Sequence, residues 1–196
     1  MLSRIALCLI LAALSLAAAA APESYTFDPH HTFCHFAVSH GGFSMMWGRF
    51  DKTSGKITID RAAKTGSLDV TVQTASISTG DSERGSRPRS RDEHLRSADF
   101  LNVTEFPTMS YKAGKFSFNG EILAAVEGQL TLIGVTRPLV LKVDYWKCGQ
   151  HPVSKKEMCG GNASGQFKRS DFGMNFLQTM VGDDYRIFIE FEAYKD

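Results

Sequence analysis

Residues 128–143 read GQLTLIGVTRPLVLKV, and this stretch limits the fold more than any other. Leu130 and Leu132 alternate with Gln129 and Thr131. Leu139, Leu141 and Val143 alternate with Val140 and Lys142. A two-residue repeat marks a half-buried strand, because successive side chains leave a strand on opposite faces. Gly134 to Pro138 separates the runs. Pro138 has no amide hydrogen, so the ladder is expected to break or begin there. Two antiparallel strands joined at a tight corner follow, in a sheet wrapped round an apolar interior.

The same period returns along the chain. In Ser24–Ser39 the parity of Cys34, Phe36, Val38 and His40 is the more apolar and is expected to face inward. Met45–Phe50 and Gly55–Asp60 read as a strand pair, and Ser67–Ile77 as a further alternating strand. Alternation stops at Ser78–Ser90, which is polar, punctuated by Gly and Pro, and crowded with arginine. Arg91–Phe100 reads as a short helix, with Leu95, Ala98 and the following Leu101 turned inward. Strands resume at Phe106, with a hairpin expected about Gly120. The last strand, Tyr185–Phe191, sets Ile187, Ile189 and Phe191 on one side.

The chain has 196 residues, enough for one domain of ordinary size. Its start does not read as part of that domain. Arg4 precedes an apolar run from Ile5 to Leu16, and Ala17–Ala20 offers a small-residue cleavage site, so residues 1–20 are expected to be a secretory signal and 21–196 the domain. The formal net charge of +1 argues against a nucleic-acid binder, which would carry a basic stripe. Export permits disulfides. Cys148 and Cys159 bracket a polar, turn-like segment and are expected to bridge, while Cys34 is left as a small buried thiol.

Several separated motifs carry a family resemblance. Gly128-x-Leu-Thr-x-x-Gly-Val-Thr-Arg-Pro138 resembles the signature of the YceI-like family. Asp28-Pro-His-His31 followed by Phe36-x-Val38-x-His40, then Gly48-Arg-Phe50 and Gly55-x-Ile57, resemble its opening. Arg91–Phe100, Arg169-Ser-Asp-Phe-Gly-Met174 and Val181-Gly-Asp183 are similar to its later motifs. Two departures stand out. Thr32 takes a place where the family more often has serine, and part of Ser82–Ser90 reads as an insertion. The resemblance implies an all-β, lipocalin-like antiparallel β-barrel of about eight strands with one short helix. It also implies a polyisoprenoid or isoprenoid quinone as ligand.

Such a barrel has room for side chains or one small ligand. A prenyl chain carries no hydrogen-bonding groups, so a dry apolar wall rewards its burial. The inward set supplies that wall: Phe36, Val38, Phe50, Val70, Val72, Met109, Leu130, Leu132, Phe172 and Met174. His40 and Arg169 are the polar candidates for a ligand head group. Arg169 and Asp171, one strand period apart, also have the spacing of a salt-bridged pair that fixes a corner. The arginine-rich loop reads first as a solvated segment with internal charge pairing. Its sharper reading is transient contact with an anionic membrane surface.

Catalytic patterns are missing from the sequence: it contains no Gly-x-Ser-x-Gly and no His-Glu-x-x-His. His31, His35 and His40 do not share one parity, which disfavours a metal site. The leading expectation is a periplasmic, non-catalytic carrier or store of an isoprenoid lipid, without a separate cofactor. Two alternatives stand beside it. One is an enzyme acting on a lipid with His40 as general base, and the other is a structural protein with a filled core. Oligomeric state is left open, with a homodimer as one option.

Overall fold

The computed structural model describes residues 21–196; the expected signal at residues 1–20 lies outside the described residues. Eleven strands follow in chain order: β1 (Glu23–Phe27), β2 (Phe33–His40), β3 (Ser44–Phe50), β4 (Thr53–Asp60), β5 (Thr65–Gln73), β6 (Ile77–Ser78), β7 (Thr108–Asn119), β8 (Ile122–Leu132), β9 (Val135–Gln150), β10 (Glu157–Lys168) and β11 (Asp184–Lys195). One helix, α1 (Arg91–Arg96), lies between β6 and β7. The sheet runs β1-β4-β5-β7-β8-β9-β10-β11 and closes where β1 pairs with β11, giving a closed antiparallel barrel of eight strands.

The remaining strands extend this barrel. β1 and β2 share one edge of β11: Tyr25–Phe27 pair with its C-terminal end, and Phe33–Ala37 with its first half. β3 then pairs with β2 and β6. The expected pairing of the 45–50 run with the 55–60 run does not occur. Asp51 bonds to Ser76, and the Lys52 carbonyl accepts from Gln73, so the chain stays extended and β4 continues the line of β3. Likewise the expected strand 67–77 is interrupted by a 3-10 turn at Thr74–Ser76, between β5 and β6.

The corner at 133–134 is a two-residue hairpin turn. Ile133 and Gly134 have φ of 42° and 76°, the primed geometry that matches strand twist, and Gly134 adopts it without a Cβ penalty. The ladder does not break at Pro138, contrary to expectation. Pro138 sits opposite Gln129 inside β9. Counted from the closing pair Leu132–Val135, that rung is one whose amides point away from each other, and β10 joins β9 only at Lys142. The missing donor therefore faces an unpaired edge.

The helix is shorter than expected, because Ser97 turns extended at its C-terminus. Ala98 is consequently exposed, while Leu95 and Leu101 are buried. Ser90 and Glu93 form a reciprocal capping box, each side chain bonding to the other's amide. Asp92 accepts from Thr79 N at 2.9 Å and Thr79 Oγ1 at 2.7 Å, and Arg96 donates to the carbonyls of Ala75 and Ile77. These bonds fix α1 beside β6.

Cys148 and Cys159 are bonded and face each other on one rung of β9 and β10, with Cα atoms 4.0 Å apart. The loop between them is smaller than expected. Pairing continues outward to Gln150–Glu157, and only residues 151–156 turn.

Candidate functional site

The barrel encloses an apolar cavity. Each strand sends every second side chain inward, and the inward rows are Leu, Ile, Val, Phe and Met. The space leaves about 150 Å³ for the centres of water-sized molecules. One water needs only about 10–15 Å³ on that measure, and apolar cavities of roughly 150 Å³ stay dry and take up hydrocarbon ligands. Leu95, Phe100 and Leu101, on and after α1, reach the lining, as do Phe27, Trp146 and Phe191.

The structure brings together nine of the residues proposed from sequence. Phe36, Phe50, Val70, Val72, Met109, Leu130, Leu132, Arg169 and Met174 all line the cavity. Three do not. Val38 is fully buried but lies outside the lining. Pairing of β2 with β11 ends at Ala37–Arg186, and beyond it the loop before β11 crosses the β2–β3 hairpin, with Gly182 N donating to Ser39 O and His40 bridged to Val181. His40 is exposed at the end of that hairpin, so it faces neither a lipid head nor a reaction inside the barrel. Phe172 is buried against Phe167, at 5.2 Å between ring centroids, and also lies outside the lining.

Arg169 is the cavity's one lining residue with a formal charge. It is fully buried at the start of a 3-10 turn spanning Arg169–Phe172. Its Nε donates to Gly182 O at 3.1 Å, Nη1 to Met174 O at 2.9 Å and Nη2 to Val181 O at 3.0 Å. The expected pair with Asp171 does not form; Asp171 is exposed. A 3-10 turn, at about three residues per turn, sets these two residues about 240° apart instead of aligning them as a strand would. The guanidinium instead gathers carbonyls from both ends of the 174–182 loop, which supports the corner-fixing reading. No carboxylate lies within 4 Å of it among the described residues.

Other polar groups in the lining are hydroxyls. Tyr111 donates to Val126 O at 3.1 Å and Leu139 O at 2.9 Å, and is satisfied. Tyr185 lies between Phe36 and Phe167, each 5.7 Å away by ring centroid and near-parallel. Burial pushes its phenol up to about 12, so it stays a neutral donor. Cys34 lines the cavity as a free thiol, and burial pushes it up to about 12, which keeps it from ionising.

Sequence reasoning missed Thr53, Tyr111 and Tyr185 in this lining, along with the closing residues on and after α1. Tyr185 shares the parity of Ile187 and Ile189, so the signal was there for it. Thr53 begins a strand after an irregular step, where parity cannot be counted.

The arginine-rich loop spends its charge on itself. Arg84 pairs with Glu93 at 2.9 Å, Arg87 with Asp81 at 2.6 Å, Arg89 with Asp99 at 2.7 Å, and Arg91 reaches Asp81 at 3.7 Å. Little net positive charge is left there for an anionic surface.

Comparison with known proteins agrees with this geometry. A UPF0312 protein of Pseudomonas aeruginosa is 34% identical over 186 residues, covering 93% of each chain. Protein YceI of Shigella flexneri is 34% identical over 161 residues, covering 81% of this chain and 80% of its own. The Campylobacter jejuni YCEI crystal structure superposes with a TM-score of 0.64 at 28% identity, covering 79% of this chain and 87% of that one. A polyisoprenoid-binding domain from Saccharophagus degradans shares the fold, with a TM-score of 0.60 at 15% identity over 88% of this chain and 98% of that one. The YceI-like domain matches residues 25–193, and the chain therefore belongs to the YceI-like family.

Proposed function

We propose that this protein binds an isoprenoid lipid inside its barrel and carries or stores it without chemical change. The observation that supports this most is the apolar cavity, whose wall is hydrocarbon and aromatic apart from a few hydroxyls, one thiol and Arg169. A wall of this kind rewards methyl-branched chains, at about 0.8 kcal/mol for each buried methylene-sized unit. A filled core would leave no such space. The similarly folded domain from Saccharophagus degradans is described as polyisoprenoid-binding, which agrees with this ligand class. Arg169 adds a fixed positive field at one part of the wall, suited to the head of a lipid rather than its tail.

The reading as a binding protein is favoured over a lipid-acting enzyme because His40, the proposed base, lies outside the cavity. The signal-like start and the disulfide support export to the periplasm. No helix among the described residues is long and apolar enough to cross a membrane. The arginine-rich loop contributes no membrane contact in this proposal, since its guanidinium groups are paired.

The test is direct binding. Delipidated protein is titrated with geranylgeraniol while Trp146, which lines the cavity, is followed by fluorescence. A saturable change that Val72→Trp abolishes supports the proposal. A flat titration in the unaltered, fully folded protein contradicts it.

A further inference from the structure

Two short segments carry six of the eleven large apolar side chains exposed among the described residues. Phe43, at the turn between β2 and β3, is 96% exposed, and Met45 and Trp47 follow it on one face of β3. Phe176, Leu177 and Met180 lie in the loop before β11. Backbone bonds hold the segments together. Gly41 N donates to Met180 O at 2.6 Å, Gly182 N donates to Ser39 O at 2.9 Å, and His40 bridges to Val181. Residues 39–48 and 173–182 contain no Asp, Glu, Lys or Arg. At the chain-wide 22% charged, these twenty residues would hold about four. Leu177 is also held at φ 51°, in the left-handed region that a leucine rarely adopts. Exposure, missing charge and local strain together mark an interaction surface rather than a solvated loop.

The surface adjoins the cavity. Phe176 stands edge-on to His94 of α1 at 5.4 Å and to Phe100 at 5.7 Å, and Phe100 lines the cavity. Met174 lines it too, three residues before the exposed Leu177. One aromatic ring and a few residues therefore separate this surface from the cavity wall. Its character favours a bilayer over a protein. A protein interface uses a polar rim and directed bonds to fix its register, which charge-free segments supply poorly. A projecting phenylalanine also needs a matching pocket in a protein, whereas lipid moulds round it. Phenylalanine, leucine and methionine are stabilised at the acyl boundary, and tryptophan settles at the headgroup level. An isoprenoid lipid is itself held in a bilayer, so a carrier that takes one up has to meet that surface.

We propose that the β2–β3 turn and the 174–182 loop dock on a lipid bilayer, inserting Phe43, Trp47, Leu177 and Met180, so that the cavity wall at Phe100 and Met174 is brought to the membrane. This rests on the lipid-binding reading above and adds the surface with which the protein meets the source of its ligand.

The test is flotation with phosphatidylcholine vesicles of protein purified from the exported fraction and delipidated, beside a geranylgeraniol titration of the same samples. The unaltered protein is expected to float with the vesicles at low salt and at about 0.5 M salt alike, because the surface carries no charge to screen. Phe43→Ser and Leu177→Asn are each expected to weaken vesicle binding about tenfold, through lost apolar burial, and to take up geranylgeraniol as before. Asparagine accepts the left-handed backbone, so Leu177→Asn is also expected to melt no lower than the unaltered protein. Lost docking with stability and lipid uptake retained is a combination that a merely structural leucine does not give. Vesicle binding that salt abolishes, or variants that float as the unaltered protein does, overturns the proposed surface. A dimer in solution that Phe43→Ser dissociates overturns it too, by seating a second copy there. Absence of flotation with a normal titration overturns docking alone. Failure of the unaltered protein to take up geranylgeraniol overturns lipid binding itself, and the membrane as its source with it.

Discussion

Glu23 and Lys195 meet at 2.7 Å, although 172 residues separate them in the chain. They stand where β1 closes on β11, and Arg61 holds the other carboxylate oxygen of Glu23 at 3.0 Å. Lys195 first, then Arg61, hold the Glu23 carboxyl down to about 2, from its ordinary 4.5. A depressed folded pKa means that the contribution is full above about 4.5 and is lost as pH falls toward 2. The groups are about a third exposed, so screening leaves a contribution on the order of 1 kcal/mol. Glu23→Gln is expected to lower the melting temperature at pH 7 by about 2–4 °C, with the gap to the unaltered protein closing between pH 5 and 2. Melting curves across that range check it; a gap independent of pH contradicts the seam's ionic character.

The Cys148–Cys159 bridge clips a hairpin that pairing already aligns. Replacing both cysteines by alanine is expected to cost about 2–3 kcal/mol, the entropy of a short closed loop, without changing the fold. Thiol counting on denatured, unreduced protein lacking residues 1–20 should find one free thiol, Cys34. Three free thiols contradict the bridge.

Val38 and Val72 separate packing from the cavity. Val72 lines the cavity, and Val38 is fully buried outside it. Val72→Trp is expected to fill free space, leave the melting temperature near normal and block lipid. Val38→Trp overpacks a closed region and is expected to cost about 1–3 kcal/mol while sparing binding by whatever protein remains folded. Thermal melts and lipid titration of the two variants check the contrast; equal effects on both measures contradict the placement of the cavity.

The Val38 and His40 positions show how far the sequence reaches. Parity states which face of a strand a residue takes, and it was right for Phe36, Phe50, Val72, Leu130 and Leu132. It does not state the height along the barrel. Val38 and His40 keep the parity of Phe36 but lie where the hairpin has passed the barrel's end, so one is enclosed by a loop and the other faces solvent. The β3–β4 step was hidden for a related reason: the short polar gap at residues 51–54 between the two runs reads as a reversal, and here bonds to Ser76 and Gln73 hold the chain straight. Arg169 was read as a corner residue through an expected pair with Asp171, which does not form, whereas its three carbonyl partners depend on the 174–182 loop returning to it. The disulfide was legible because Cys148 and Cys159 bracket a short, polar, turn-like segment.

Arg169 bears on the stability of that corner more than on any other feature. Arg169→Ala strands three buried carbonyls and is expected to destabilise by about 3 kcal/mol or more. Arg169→Lys retains charge without the planar fork and is expected to recover only part of this. Chemical denaturation of both variants checks the order; full recovery by lysine contradicts a role for the fork.

If the cavity holds an isoprenoid lipid, that lipid accompanies the native protein through purification. The full chain is produced in a bacterial host, purified from the exported fraction without detergent, and extracted with organic solvent for mass spectrometry beside Val72→Trp purified in the same way. An isoprenoid species is expected in near-stoichiometric amount with the unaltered protein, and its loss is expected from the folded variant. An extract free of isoprenoids from the unaltered protein, or the same lipid load in both, contradicts it.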